Sequence, residues 1–279
     1  MMLRAFLAIA IAICTLGFAA AQNYDPKLTP KILPMPKGLL EISGLAVASD
    51  NSVFAHNDEH GIVYEISIET GDIMRAFAMG DPTIAADFEG IAATQDRIYL
   101  ITSKGILYES LIGAHQSRVK FNAYDTGVGS NCEVEGLANG PIDEAGWANF
   151  LILCKSPRQP ELKDRLTIYK WSLLERRPVT EPWLSVDRDE ILLQSEQKKF
   201  KPAGLEWQAK TERLFVISGG NRQFLQLTSK GDKISNFVLS DLHHSQTEGL
   251  AIMPDGALVF ADEGSRAKPG SLSIYKAKP

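Results

Sequence analysis

Three glutamates occupy one position of a repeated tripeptide, which is chemistry suited to a cation. The copies read Ser43-Gly44-Leu45, Glu89-Gly90-Ile91, Glu135-Gly136-Leu137, Ala203-Gly204-Leu205 and Glu248-Gly249-Leu250. A fold that sets the five copies around an axis makes a ring of Ser43, Glu89, Glu135, Ala203 and Glu248. Carboxylates that converge on one axis repel one another unless positive charge sits among them. A hard divalent cation with oxygen ligands, calcium first, is the natural occupant. Ser43, Glu89, Glu135 and Glu248 are its expected ligands, with backbone carbonyls at the remaining positions. The alternative is a structural latch, in which each glutamate accepts hydrogen bonds from a neighbouring backbone.

The elements that must position such a ring follow from the spacing. The signature glycines lie 46, 46, 68 and 45 residues apart, by subtraction of their numbers. A period near 45 is that of a radial β repeat. In the first copy, 42–48, 52–56, 62–68 and 73–79 read as four short strands, separated by turns rich in Asp, Asn and Gly. The fifth copy ends after its third strand. The proline-rich segment 27–36 is the candidate to complete it, since proline tolerates only edge positions in a sheet. The expected fold is therefore all-β: a five-bladed β-propeller closed by an N-terminal strand. The long interval is read as two insertions in blade three, 156–164 and 175–199, rather than as a sixth blade.

The first strand of each repeat then lines a channel, and the turns between second and third strands surround its mouth. Those turns carry Asn57, Asp58 and Glu59, then Lys104, Lys155, Arg222, and finally Asp262 and Glu263. They are the expected ligand-binding residues, with Asp58 and Asp262 nearest the channel and hence the candidate catalytic acids. Of the adjacent His243 and His244, an extended segment turns at most one toward the mouth, and a surface pair is the favoured reading. Gly-x-Ser-x-Gly, His-Glu-x-x-His, Gly-x-x-x-x-Gly-Lys and Cys-x-x-Cys are all absent.

Residues 1–21 have the form of a cleaved secretory signal, with Arg4, an apolar run from Ala5 to Phe18, and Ala19-Ala20-Ala21. Residues 22–279 are then one exported domain, periplasmic or secreted. Without Arg4 the chain carries 28 basic and 34 acidic side chains, a net charge near −6. That balance argues against nucleic acid as a partner, and no later stretch is apolar enough for a membrane helix. The expected partner is a small molecule or envelope component at the mouth of a monomer. Cys132 and Cys154 remain after processing. The repeat sets Cys154 opposite Glu135 and leaves Cys132 three residues away, roughly 10 Å along a strand. A disulfide and two small buried side chains are both open readings.

Five pieces resemble the SdiA-regulated family of exported bacterial propellers: Glu41-Ile42-Ser43-Gly44-Leu45, Asn57-Asp58-Glu59, Asp87-Phe88-Glu89-Gly90-Ile91, Glu135-Gly136-Leu137-Ala138 and Glu248-Gly249-Leu250-Ala251. The repeat is also similar to that of esterase-like phytase propellers. A more distant resemblance, to calcium-activated nucleotidases, implies a central calcium held in the order Ser, Glu, Glu, Ser, Glu. Ala203 departs from that order. Two functions compete. The missing catalytic motifs favour a binding module with calcium below its mouth. The cationic turns favour a calcium-dependent hydrolase of a phosphate or ester, with Asp58 or Asp262 orienting water.

Overall fold

The computed structural model describes residues 28–192 and 200–277, so the leader at 1–21 lies outside the described residues. Five sheets succeed one another as the blades of a propeller. Blade one comprises Ile42–Ser49, Ser52–Asn57, Ile62–Ser67 and Ile73–Met79, with Arg118–Val119 added in parallel at its outer edge. Blade two holds Phe88–Ala93, Arg97–Thr102, Ile106–Leu111 and Phe121–Asp125. Blade three runs through Cys132–Asn139, Asn149–Pro157, Arg165–Ser172 and Leu184–Asp187, the last lying inside the segment read as a charged insertion. Blade four is Pro202–Gln208, Arg213–Ser218, Gln223–Thr228 and Lys233–Val238. Blade five supplies only Thr247–Ile252, Leu258–Asp262 and Ser271–Tyr275.

Its fourth strand is Lys31–Pro34, paired antiparallel with Ser271–Tyr275. Pro34 can sit there because the outer edge asks nothing of its missing N–H. This closure ties the two ends of the chain together and leaves no unmatched blade.

The propeller has no single core. Five apolar clusters each lie between adjacent blades, for example Ala46, Phe54, Phe88 and Ile91 between blades one and two. Second strands are covered on both faces and so read as continuous apolar runs, as in Ile98-Tyr99-Leu100-Ile101, all buried. Outermost strands such as Phe121–Asp125 are mostly exposed.

Strand pairing breaks register at the same place in every innermost strand. It passes from Ile42 to Gly44, Phe88 to Gly90, Val134 to Gly136, Pro202 to Gly204 and Thr247 to Gly249. The skipped residues are Ser43, Glu89, Glu135, Ala203 and Glu248. Each ring position is therefore the unpaired residue of a β-bulge, a device that bends a strand and re-aims a side chain.

The following glycine lets neighbouring blades meet. A Cβ on Gly90 would lie 2.4 Å from the Leu137 nitrogen, and one on Gly249 would lie 2.9 Å from Leu45 Cγ. A Cβ on Gly136 meets only side chains, with Leu205 Cδ2 at 3.0 Å.

Cys132 and Cys154 form a disulfide, with their Cα atoms 5.8 Å apart. This settles the reading left open by the repeat register. Cys154 pairs with Val134 rather than Glu135, and register shifts on both sides of Val134 shorten the separation. The assumed three-residue offset did not allow for bulges.

Two stability measurements test this account. Gly90→Ala, which drives a methyl into backbone, should cost about 3 kcal/mol in urea denaturation, and Gly136→Ala about 1 kcal/mol. Equal costs would separate the glycines from the blade contacts. Reducing the disulfide, which joins residues 22 apart, should cost about 3 kcal/mol and lower the melting temperature. An unchanged melt in reductant would deny the bridge a structural role.

Candidate functional site

Ser43, Glu89 and Glu248 line a narrow axial cavity with all five signature glycines, and its free volume of about 10 Å³ is room for a single water-sized occupant. Glu135 and Ala203 line the wider cavity beside it together with Glu248. Ser43 Oγ lies 3.5 Å from Glu89 Oε2, the limit of a hydrogen bond. Glu135 Oε1 pairs with Lys155 Nζ at 2.6 Å, while its buried Oε2 has no partner among the described residues.

The electrostatics are strained. Burial first, then the charges of Glu135 and Asp87, pushes Glu89 up to about 8. Burial, Glu135 and Glu263 push Glu248 up to about 9. Glu135 is raised by burial, although Lys155 opposes the shift. Burial disfavours the Lys155 ammonium, yet Glu135, Glu89 and Glu133 outweigh it and hold the amine above the ordinary lysine range.

One lysine stands against three acids, and burial holds Glu89 and Glu248 toward the protonated form at neutral pH. Once ionised, these carboxylates and Ser43 are oxygen donors of the type a hard divalent cation takes. Among the described residues, no three His, Cys, Asp or Glu side chains are already gathered closely enough to hold a metal ion.

The mouth residues divide into groups. Asp58 and Glu263 lie close enough for the charge of Asp58 to act on Glu263. Burial and then Asp58 push Glu263 up to about 7, and burial and then Glu41 raise Asp58. Asn57 Oδ1 caps the turn by accepting from the His60 N–H at 3.2 Å, and exposed Glu59 lies beside the His60 ring. Lys155 reaches the ring. Lys104 stays exposed on its turn, and Arg222 donates to the Leu239 carbonyl at 3.3 Å.

Asp262 does not open into the mouth. It is 1% exposed, with one carboxylate oxygen 2.9 Å from His244 Nδ1 and the other accepting from Thr247 Oγ1 at 2.9 Å. His244 is buried as well, its Nε2 lying 2.8 Å from the Tyr275 hydroxyl. The surface pair expected at His243-His244 is thus corrected for His244. The segment is a turn in which the His244 N–H bonds back to Ser240, so the alternation of an extended strand does not apply.

Of a second tier, sequence reasoning found only Asp87, in the turn leading back to a first strand. Two residues before the ring positions stand Glu41, Asp87, Glu133, Lys201 and Gln246, all exposed. The register that found the ring carries this signal too.

These features define a β-propeller with a carboxylate-ringed channel and a charged rim. Within it, residues 193–269 match the model of the SdiA-regulated family. No curated protein sequence matches the chain. Among solved structures it is similar to glutaminyl cyclase from Myxococcus xanthus, at TM-score 0.58 and 12% identity, covering 90% of this chain and 97% of that one. It is also similar to the PQQ-bound aldose sugar dehydrogenase from Streptomyces coelicolor, at TM-score 0.53 and 10% identity, covering 92% and 100%. A luciferin-regenerating enzyme matches at TM-score 0.51 and 8% identity, over 90% and 95%. At such identities the likeness is one of fold alone. No helix among the described residues is long and apolar enough to cross a membrane.

A buried histidine backs the ring. His56 sits behind Gly44, where a Cβ would lie 2.7 Å from its Nε2, and edge-on to Phe88. Its Nδ1 is 2.8 Å from the Asn57 carbonyl, and its Nε2 has no partner among the described residues. Burial lowers its pKa from 6.5 to about 4 despite the Asn57 contact. The unfolded chain therefore takes up this proton first as pH falls. The stability His56 contributes is complete above about pH 6.5 and lost progressively toward pH 4, by up to about 3 kcal/mol. Urea midpoints across that window measure it. A His56→Phe variant losing stability as steeply as the parent would clear His56 as the cause.

Proposed function

We propose that this chain is an exported binding module, capturing a small molecule or envelope component at the propeller mouth above a calcium ion held by Ser43, Glu89, Glu135 and Glu248. The observation that carries this reading is the set of three coupled, partly buried carboxylates with, among the described residues, Lys155 alone set directly against them. Bound calcium would supply the missing positive charge and join the innermost strands of four blades. The export part draws support from the form of the leader and from the disulfide, which belongs to oxidising compartments.

Binding rather than turnover is supported by Asp262. It is 1% exposed and bonded to His244 and Thr247, so the interior rather than the mouth surrounds its carboxylate. Asp58 remains as the one catalytic candidate at the mouth. The acidic rim and the overall charge of −5 speak against nucleic acid as the ligand.

Metal content by mass spectrometry, with thermal melting in calcium and in EDTA, tests the proposal. One calcium per chain, a lower melting temperature on chelation, and loss of the ion in Glu89→Gln and Glu248→Gln are expected. No bound calcium and no EDTA shift would leave the glutamates as a latch. Calcium-dependent turnover of a phosphate ester that Asp58→Asn abolishes, with calcium retained, would replace the binding module by a hydrolase.

A further inference from the structure

The rim above the ring is electrically lopsided. Its second-tier residues are acids on blades one to three (Glu41, Asp87, Glu133), then Lys201 on blade four and Gln246 on blade five. On the side of Lys201 a cavity of about 320 Å³ opens, walled by Lys155, Lys201, Gly219 and Gly220, with Glu135 and Glu248 toward the ring. We propose that this cavity receives the oxyanion of the captured ligand, a carboxylate or phosphate group, between Lys155 and Lys201. The inference rests on the calcium-loaded mouth proposed above and names the chemistry of its ligand.

Three observations support it. Lys155 spends one ammonium hydrogen on Glu135 at 2.6 Å, and two remain for other acceptors. Exposed Lys201 forms no ion pair among the described residues, so its charge is available to a ligand. With a divalent ion in the ring, that ion and the two ammonium groups stand against Glu89, Glu135, Glu248 and the nearby Glu133, so the acids that would repel an anion at the cavity are offset.

Two glycines, Gly219 and Gly220, stand in the wall with Ser245 and Gln246. A Cβ on Gly219 would lie 2.9 Å from Glu248 Oε1 and 3.1 Å from the Thr247 carbonyl, so a side chain there would press on the ring glutamate. Exposed Gly220 follows it, and the bare main chain lets a ligand approach closely. The volume suits a small molecule, at the lower end of ligand pockets of roughly 300–1,000 Å³. Glu41 and Asp87 across the mouth repel an anion placed the other way round, which fixes its orientation.

The experiment titrates the calcium-loaded full chain with acetate and, separately, methyl phosphate at constant ionic strength. It follows the Gly219 and Gly220 amide signals by NMR and the heat by calorimetry. Saturable shifts with one anion per chain are expected, and Lys201→Gln should weaken them about tenfold while calcium content stays the same. A response to acetate alone assigns a carboxylate, and to methyl phosphate alone a phosphate. Calcium-loaded protein that ignores both anions, or a Lys201→Gln variant that binds as the parent does, would overturn the oxyanion site and leave the metal reading standing. Failure to bind calcium, seen directly in the metal analysis, would sink both.

Discussion

Everything in this propeller depends on how closely five innermost strands can approach one axis. Backbone, not side chain, meets backbone at the tightest point: Gly90 faces the Leu137 nitrogen and the Gly136 carbonyl carbon. The signature glycine is therefore a steric requirement of closure. The bulge beside it has a second consequence, since it removes one residue per blade from the ladder and leaves that side chain to the channel. Closure and site formation are the same local event, repeated five times.

That event creates an electrostatic conflict. A strand that must be buried to close the ring carries with it a carboxylate that would rather be in water. Lys155 answers for one of the three, reaching Glu135 from the second strand of blade three. Glu89 and Glu248 are left with carboxyls held well above the ordinary range by burial and then by the charge of Glu135. A site of this kind is poised for a cation, and an asymmetric rim above it gives a ligand a preferred direction. Ala203 breaks the ring on the side where Lys201 and the two glycines stand, so the least acidic sector of the channel coincides with the most basic sector of the mouth.

The fold was largely legible in the residues. The spacing of the signature, the strand windows of blade one and the missing last strand of blade five all correspond to observed elements, including closure by Lys31–Pro34. Repeats make such a reading reliable because each copy checks the others. The disulfide and the His244–Asp262 pair were not legible. Counting along ideal strands cannot see a skipped residue, and an alternating strand is the wrong model for the turn at Ser240–His244. Asp262 looked like a mouth acid because it ends a strand beside a turn. Its neighbours Thr247, His244 and Tyr275, distant in sequence, take it into the interior instead.

By itself, the sequence determined the number of blades, the ring register and the identity of the five residues placed there, because a repeat writes its symmetry into the spacing. Only the tertiary structure decided which charges meet. Lys155 lies on the second strand of blade three and Lys201 just before the first strand of blade four, 46 residues apart by subtraction. Their convergence on one cavity depends on how neighbouring blades pack against each other. Charge compensation is a property of distances through space, and those exist only once the ring has closed.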